Sequence, residues 1–240
     1  MTDLHNLLVI LHIAFGTVAL LLFWIPAATR KGSRAHKLAG RFYVRVMMVV
    51  VISAAVSSIM ILVDPIGIRH PGVEFTPEDF ERRALNYRMF SLFLLMLAVL
   101  VFSTLRHGTE SLKTRQNPNQ LRKPANLAVT FMLGGLALPV GALGLMKGQI
   151  LLIIFAGISL SAAWGMYRDS RVAKPDAKDR MRMHLDAMIA SGIGAHTAFF
   201  AFGGARFLNE ILTGQWQVIP WVLPAVIGTI AIRRMNKRYA

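Results

Sequence analysis

The chain has 240 residues, of which 55% are hydrophobic and only 16% charged, and its mean hydropathy is +0.51. This composition excludes an ordinary soluble domain and indicates an integral membrane protein. The net charge of +15 does not indicate nucleic-acid binding, because the basic residues form short clusters between apolar runs. The absence of cysteine excludes disulfides, thiolate metal sites, iron–sulfur clusters and covalently attached c-type haem.

Seven apolar runs reach or approach the length of about 20 residues that a helix needs to cross a bilayer. Their positions are 7–29, 43–63, 88–105, 126–146, 149–167, 187–208 and 217–232. No Lys or Arg precedes the first run, so we expect it to be retained as a span and not cleaved as a signal peptide. The sequence therefore predicts an all-α fold, in which residues 1–240 form one polytopic membrane domain built as a seven-transmembrane-helix bundle.

Basic residues between the spans predict the orientation of the bundle. Segments 30–45, 106–125 and 168–182 and the carboxyl-terminal tail contain 21 of the 27 Lys and Arg residues. Inside-facing loops of membrane proteins are enriched in these residues. We therefore expect the amino terminus outside and the carboxyl terminus inside a bacterial inner membrane, with anionic lipid at the inner face.

Short motifs predict where two of the helices begin. Thr76 and Pro77 are followed by acidic residues, which favours a helix that starts at Pro77 and runs into the third span. The segment "KPDAKDRMRMH" similarly predicts a helix that starts at Pro175 and continues into the sixth span. The last span is short and contains Pro220 and Pro224, so we expect it to be tilted, kinked or partly re-entrant.

Four histidines lie at two depths of the predicted bundle. His12 lies about 8 Å from the outer end of the first span, and His196 lies near the middle of the sixth. His36 and His184 lie at the inner boundary, where the second and sixth spans begin. Histidines from two helices are the axial ligands that a b-type haem requires. The pairs His12 with His196 and His36 with His184 are therefore candidate haem sites.

For two stacked haems, the distance between the two histidines near the sixth span is favourable, and the angle between their side chains is unfavourable. His184 and His196 are separated by about 18 Å along a helix, a workable distance for electron transfer between two stacked haems. The same spacing leaves the side chains about 120° apart, so a straight helix does not direct both into one groove. Three arginines near His36 are available for haem propionates or, equally, for lipid phosphate: Arg34, Arg41 and Arg45.

Each of these histidines also has a purely structural interpretation. His12 and His196 would be satisfied by an interhelical hydrogen bond to a backbone carbonyl, or to Thr17 or Thr197. The two boundary histidines are equally well explained as solvated residues at the level of the lipid headgroups. The histidines outside the spans are assigned no role, and these are His5, His70 and His107.

A metal site is the alternative chemistry at the inner boundary. His36, His184 and Asp186 together offer the three ligands that a zinc hydrolase or zinc-binding protein needs. The sequence has no H-x-x-x-H or H-E-x-x-H pair that would place two ligands on one helical face. Asp186 either takes part in such a site, orients one of the two histidines, or pairs with Arg182 one turn earlier.

A transporter or a non-catalytic partner subunit is the third class of function. Small residues recur at four-residue spacing, for example in Ala190, Gly194 and Ala198, and favour close contact between helices. Transport would be favoured by an inverted repeat and by broken helices. We find no repeat, and the possible breaks are Pro139, Pro220 and Pro224.

The first span, with "LHIAFGTVAL", is followed by "RKGSRAHKLAGRFYV", and the two segments resemble a family of uncharacterised bacterial multi-helix inner-membrane proteins that share a domain of unknown function. The pattern is an H-x-x-x-G first span followed by K-G-S-x-x-H-x-x-x-G-R-x-Y. "HLDAMIASGIGAHTAFFAFGGARF" is similar to segments of such proteins. The family has no activity to transfer, and the resemblance implies only a histidine-bearing membrane bundle.

The chain also has a fainter similarity to transmembrane diheme b-type cytochromes, in which histidines on neighbouring helices form one pair near each face. It differs from them in helix number and in the angle between His184 and His196. The resemblance and the residues together predict a membrane electron-transfer protein that binds b-type haem and exchanges electrons with quinone or a small reductant.

Overall fold

The computed structural model describes residues 1–204, 216 and 218–239, and these residues form helices joined by loops, with no strand. The helices are α1 (Thr2–Ala28), α2 (Arg34–Val63), α3 (Pro65–Arg69), α4 (Pro77–Lys113), a 3₁₀ turn (Gln120–Arg122), α5 (Pro124–Lys147), α6 (Ile150–Ser170), α7 (Ala177–Ala198), a π-helical turn (Phe199–Gly203) and α8 (Ile219–Tyr239). The prediction of an all-α fold is confirmed for this part of the chain.

Six of these helices are long and apolar enough to cross a membrane: α1, α2, α4, α5, α6, and α7 together with its π-helical turn. This result indicates a multi-pass membrane protein. The seventh predicted span, 217–232, falls largely on α8, which is not among the six. Residues 205–208 of the sixth predicted span, and residue 217, lie outside the described residues.

The starts of α4 and α7 show how well local motifs predict helix ends. Helix α4 begins at Pro77 as predicted, and the hydroxyl oxygen of Thr76 accepts a hydrogen bond from the backbone N–H of Asp79. The predicted start of α7 at Pro175 is wrong, because Asp176 is the N-cap. Its carboxylate accepts from the N–H of Asp179, whose carboxylate accepts from the N–H of Asp176.

The chain packs as two compact units. The first comprises Met1–Leu100 and Leu133–Leu160, and the second comprises Val101–Met132 and Ser161–Ala240. The sequence-based expectation of one membrane domain stays a prediction. Each unit contains two of the four candidate histidines, with His12 and His36 in the first and His184 and His196 in the second.

The core of each unit is made of buried side chains from several helices. In the first unit α1 packs along α2, and Tyr43 and Phe93 are almost completely buried. The Phe93 ring lies 5.7 Å from the ring of Phe155, in an edge-to-face arrangement. In the second unit α7 packs against α8, and Leu105 and Met183 are almost completely buried.

The end of α1 is capped by two side chains that follow it. The Lys31 ammonium donates hydrogen bonds to the carbonyl oxygens of Pro26 and Ala27, each at 3.0 Å. The His36 ring donates from Nδ1 to the same Pro26 oxygen at 3.1 Å. Burial lowers the pKa of the Lys31 amine below its ordinary value. Both side chains therefore satisfy carbonyl groups that a helix end leaves without intrahelical donors.

The start of α2 depends on a glycine and a serine. Gly32 has φ +78°, a left-handed conformation that other residues rarely adopt. Ser33 is the N-cap of α2, and its hydroxyl oxygen accepts a hydrogen bond from the N–H of His36 at 3.2 Å. The segment "KGSRAH" is thus a compact helix-to-helix connection in which Lys31, Gly32, Ser33 and His36 each have a structural task.

Replacing Gly32 by alanine is predicted to destabilise the protein by about 1 kcal/mol, because alanine is strained at positive φ. The measurement is the midpoint of thermal unfolding in detergent. Gly40→Ala is the matched control, since Gly40 is helical and a Cβ there also meets no atom within 4 Å. We expect Gly40→Ala to be neutral or stabilising by up to about 1 kcal/mol. Equal effects of the two variants would contradict the assignment of the Gly32 turn.

Candidate functional site

His12 joins α1 to α2. Its Nδ1 lies 3.0 Å from the carbonyl oxygen of Val50 and 3.3 Å from the hydroxyl oxygen of Ser53, which is buried. Because a carbonyl oxygen can only accept, Nδ1 carries the ring proton and the lone pair of the neutral imidazole is on Nε2. Thr17 donates to the Ile13 carbonyl of its own helix. The interhelical hydrogen bond to a backbone carbonyl that was considered for His12 is therefore present, and its role as a ligand stays a prediction.

The two histidines of α7 make the same kind of bond with different partners. His184 donates from Nδ1 to the carbonyl oxygen of Gly108 in α4, at 2.7 Å. His196 donates from Nδ1 to the carbonyl oxygen of Gly192, four residues earlier in α7, at 2.8 Å. The helix changes to the π-helical turn at Phe199, directly after the turn that contains His196. Such turns are frequent at functional sites.

Glycines allow α4 and α7 to approach closely at the level of these histidines. A Cβ added to Gly108 would lie 3.0 Å from the sulfur of Met188 and 3.2 Å from the Cβ of Ala187. A Cβ added to Gly194 would lie 2.7 Å from a methyl carbon of Val101. The close contact predicted at Gly194 is therefore present, and the absence of a side chain at residue 108 gives His184 access to the backbone of α4.

All four candidate ligands have the same ring tautomer. Nδ1 of His12, His36, His184 and His196 donates in each case to a backbone carbonyl, so the lone pair of the neutral ring is on Nε2. His12 and His36 belong to the first unit, and His184 and His196 to the second. The members of each predicted pair are thus in different units, and the pairings stay predictions. The three arginines assigned to propionates or lipid phosphate are exposed: Arg34, Arg41 and Arg45.

Asp186 pairs with groups of its own unit. Its carboxylate accepts a hydrogen bond from the side-chain amide of Asn236 at 2.7 Å and lies 3.8 Å from the guanidinium of Arg182. The predicted pairing with Arg182 is therefore present. Within the described residues, no group of three or more His, Asp or Glu side chains is arranged to hold a metal ion. The alternative metal site of His36, His184 and Asp186 gains no support from these contacts.

A buried ionisable cluster in the second unit was not predicted from the sequence. His107 in α4 and Asp169 in α6 are only 9% and 8% exposed. Nε2 of His107 lies 3.1 Å from one carboxylate oxygen of Asp169, and Arg182 of α7 donates to the other oxygen at 2.8 Å. The prediction that His107 lies outside the spans is wrong, because α4 continues to Lys113 and includes it.

A small polar pocket borders this cluster. Among the residues that line it are Ser103, Arg106, His107, Asn126 and Thr130. The guanidinium of Arg106 donates to the side-chain oxygen of Asn126 at 2.7 Å, which fixes one wall. The neighbouring Glu110 is also buried and binds Lys113 and Gln120. This end of α4 is therefore a polar region enclosed by the protein.

One feature of the sequence could have revealed this cluster. Arg106, His107 and Glu110 follow the apolar run without any Gly-Pro or Asn-rich break, whereas "RQNPNQ" comes only after Lys113. The turn residues therefore place the end of the helix later than hydropathy does. No sequence feature identifies Asp169 and Arg182 as the partners of His107, because they lie on other helices.

No family model, curated protein or solved structure matches this chain. The fold and the contacts above indicate a helical, multi-pass membrane protein in which hydrogen-bonded histidines of two kinds are found among the described residues. The first kind donates to backbone carbonyls, and the second, His107, is bonded to a carboxylate.

Asp169→Asn is predicted to lower the free energy of unfolding by about 3 kcal/mol, because it removes the buried carboxylate that binds both His107 and Arg182 and leaves Arg182 with the more distant Asp186. Unfolding in detergent, followed by circular dichroism, measures the change. Asp79→Asn is the matched control, since Asp79 forms an exposed pair with Arg82. Its expected cost is under about 1 kcal/mol. A cost for Asp169→Asn no larger than that of the control would show that the buried pair contributes little.

Proposed function

We propose that the protein is a membrane electron-transfer protein that binds b-type haem through histidines drawn from His12, His36, His184 and His196. The supporting observation is the tautomer that these four rings share. When bound, the haem supplies a one-electron redox centre. Quinone or a small reductant is the proposed electron partner.

The hydrogen bond on Nδ1 gives each ring two properties that an axial ligand needs. The ligating nitrogen must be unprotonated, and the bond to a carbonyl oxygen leaves the lone pair on Nε2. The same bond orients the ring. A surface histidine without such a bond exchanges between tautomers and rotamers. The four rings are therefore suited to ligation, whatever additional contacts they make.

The four histidines do not support the proposal equally. The ring of His36 also caps the end of α1, so its presence has a complete structural explanation. His196 has its acceptor within its own helix, so its bond does not serve to join helices. An imidazole within an apolar helix is costly to retain, and the bond to Gly192 gives no contact between helices in return. His196 is the strongest candidate, and His12 and His184 follow.

The proposal includes the topology predicted from charge. Seven spans, an outside amino terminus and an inside carboxyl terminus place the basic clusters at the inner face of a bacterial inner membrane. In this arrangement α8 is the seventh span. Arg34, Arg41 and Arg45 are proposed to bind haem propionates or the phosphates of anionic lipid, since guanidinium groups form strong bonds with both.

An optical spectrum of the protein, expressed with sufficient haem and purified in mild detergent, tests this function. We expect a Soret band, with sharp α and β bands after reduction by dithionite. His196→Ala is expected to reduce the low-spin signal by at least half, because an axial bond to the haem is lost. Single alanine variants of His12, His36 and His184 then identify the other ligands, since two histidines on one haem abolish the same spectral component.

His70→Ala is the control for these spectra. His70 is also partly buried and hydrogen-bonded, at 2.7 Å to the hydroxyl of Tyr87, but it is not a candidate ligand. Its spectrum is expected to equal that of the wild type. A featureless visible spectrum from folded, haem-sufficient wild-type protein would refute the haem proposal.

A further inference from the structure

The end of the first unit where α1 begins and α2 ends is closed by an apolar plug. Met60 and Ile61 of α2 and Ile68 of α3 form a buried cluster there, with exposed fractions of 8%, 3% and 5%. Leu8 of α1 and Tyr87 of α4 pack against this cluster. The plug therefore combines side chains from four helices, and the short helix α3 is the part that lies across the ends of α1 and α2.

The segment that follows α3 is fastened to the start of α4. Nε2 of His70 lies 2.7 Å from the hydroxyl oxygen of Tyr87. The ring of Phe75 lies 5.4 Å from the ring of His70, and the guanidinium of Arg83 lies 4.9 Å from the centre of the Phe75 ring. Residues 70–76 are therefore held against α4 by a hydrogen bond and by ring contacts, which keep α3 in place.

The plug lies next to the hydrogen bond that His12 forms with α2. Leu8 is one turn from His12 on the same face of α1, about 6 Å along the helix. Met60 is about two turns from Ser53 in α2, which is about 10 Å along that helix. The opposite end of α1, at Ala28, is about 24 Å from His12. The shorter path from water to His12 along this helix pair therefore passes the plug.

The surface of α1 around His12 is apolar and exposed. Ile10 and Ile13 are 64% and 62% exposed, and the buried residues of the helix are His5 and Ala19. His12 itself is partly exposed. Because α1 is long and apolar enough to cross a membrane, the medium beside this surface in a bilayer is hydrocarbon.

We infer that the plug closes the His12 site to the water at this end of the first unit, and that the site is reached from the lipid. This inference rests on the proposed function, since it names the class of electron partner that a haem at His12 would have. Such a partner dissolves in hydrocarbon, as a quinone with an apolar tail does. A charged, water-soluble reductant is excluded, because it would lose its hydration on the way to the site.

Electron paramagnetic resonance of a spin label at residue 12 tests the inference. The chain has no cysteine, so His12→Cys in the full-length protein provides a single labelling site. In lipid vesicles, the accessibility of the label to O₂, which dissolves in lipid, is compared with its accessibility to a water-soluble nickel(II) complex. We expect the value for O₂ to exceed the value for nickel at least about fivefold, because hydrocarbon excludes the polar complex. Ile13→Cys is the reference for lipid, and Glu74→Cys, on the exposed segment after α3, is the reference for water.

A second substitution opens the plug in the labelled protein. Ile68→Asp places a carboxylate in the buried cluster, which displaces α3, so the accessibility of residue 12 to nickel is expected to rise at least about threefold. Val73→Asp is the matched control, since Val73 is close to Ile68 in the chain but 51% exposed, and we expect it to change nothing. If Ile68→Asp does not fold, His70→Ala replaces it with the same expectation, because it removes the bond to Tyr87.

Two results would overturn the inference. One is a ratio of O₂ to nickel accessibility at residue 12 that is closer to the ratio at Glu74→Cys than to that at Ile13→Cys. The other is an unchanged nickel accessibility in the folded variant that opens the plug. Each accessibility is the change produced by adding the reagent, so it does not depend on whether haem is bound. An absent haem spectrum and a water-accessible residue 12 are therefore separate failures.

Discussion

Inside a bilayer every backbone polar group must find its hydrogen-bond partner within the protein, and this constraint accounts for the polar contacts between the apolar helices. Four imidazoles donate to backbone carbonyls, and these bonds connect α1 to α2 at Val50 and α7 to α4 at Gly108. Each bond satisfies the ring and, at the same time, determines which nitrogen has the lone pair. The same contact therefore stabilises the helix packing and determines which ring nitrogen can bind a ligand.

The constraint also gives a structural meaning to the motif after the first span. The carbonyls at the end of α1 have no intrahelical donor, and Lys31 and His36 supply donors from the next segment. Gly32 and Ser33 reverse the chain and start α2. The motif after the first span is therefore explained by the connection between two helices, without any reaction.

The sequence predicted the membrane helices well because their apolar length and the caps around them are local properties. Pro77 and Thr76 defined the start of α4, and the structure agrees. The end of α4 was predicted too early, since hydropathy falls at Arg106 and His107 although these side chains are enclosed by the protein. Polar residues that pair inside a bundle look like loop residues in a hydropathy profile.

The partners of the buried cluster could not be predicted for a different reason. His107 and Asp169 are 62 residues apart in the chain, and Arg182 is separated from Asp169 by 13. Their contact depends on how three helices pack, and no single segment contains that information. The hydrogen bond of His196, in contrast, lies within one helix, since its acceptor is four residues earlier. Helical periodicity allows that bond to be anticipated from the sequence, because residues four apart lie on the same face.

The two kinds of histidine differ in the nitrogen that has the lone pair of the neutral ring. A ring that donates from Nδ1 to a carbonyl oxygen has the lone pair on Nε2, and the same bond orients the ring. His107 instead has Nε2 against a carboxylate oxygen of Asp169, so this nitrogen is already bonded within the protein. Histidines that look alike in the sequence are therefore distinguished by their acceptors, and for His12 and His184 these acceptors lie on other helices. Only the packing of the helices decides which nitrogen of each ring is left for a ligand.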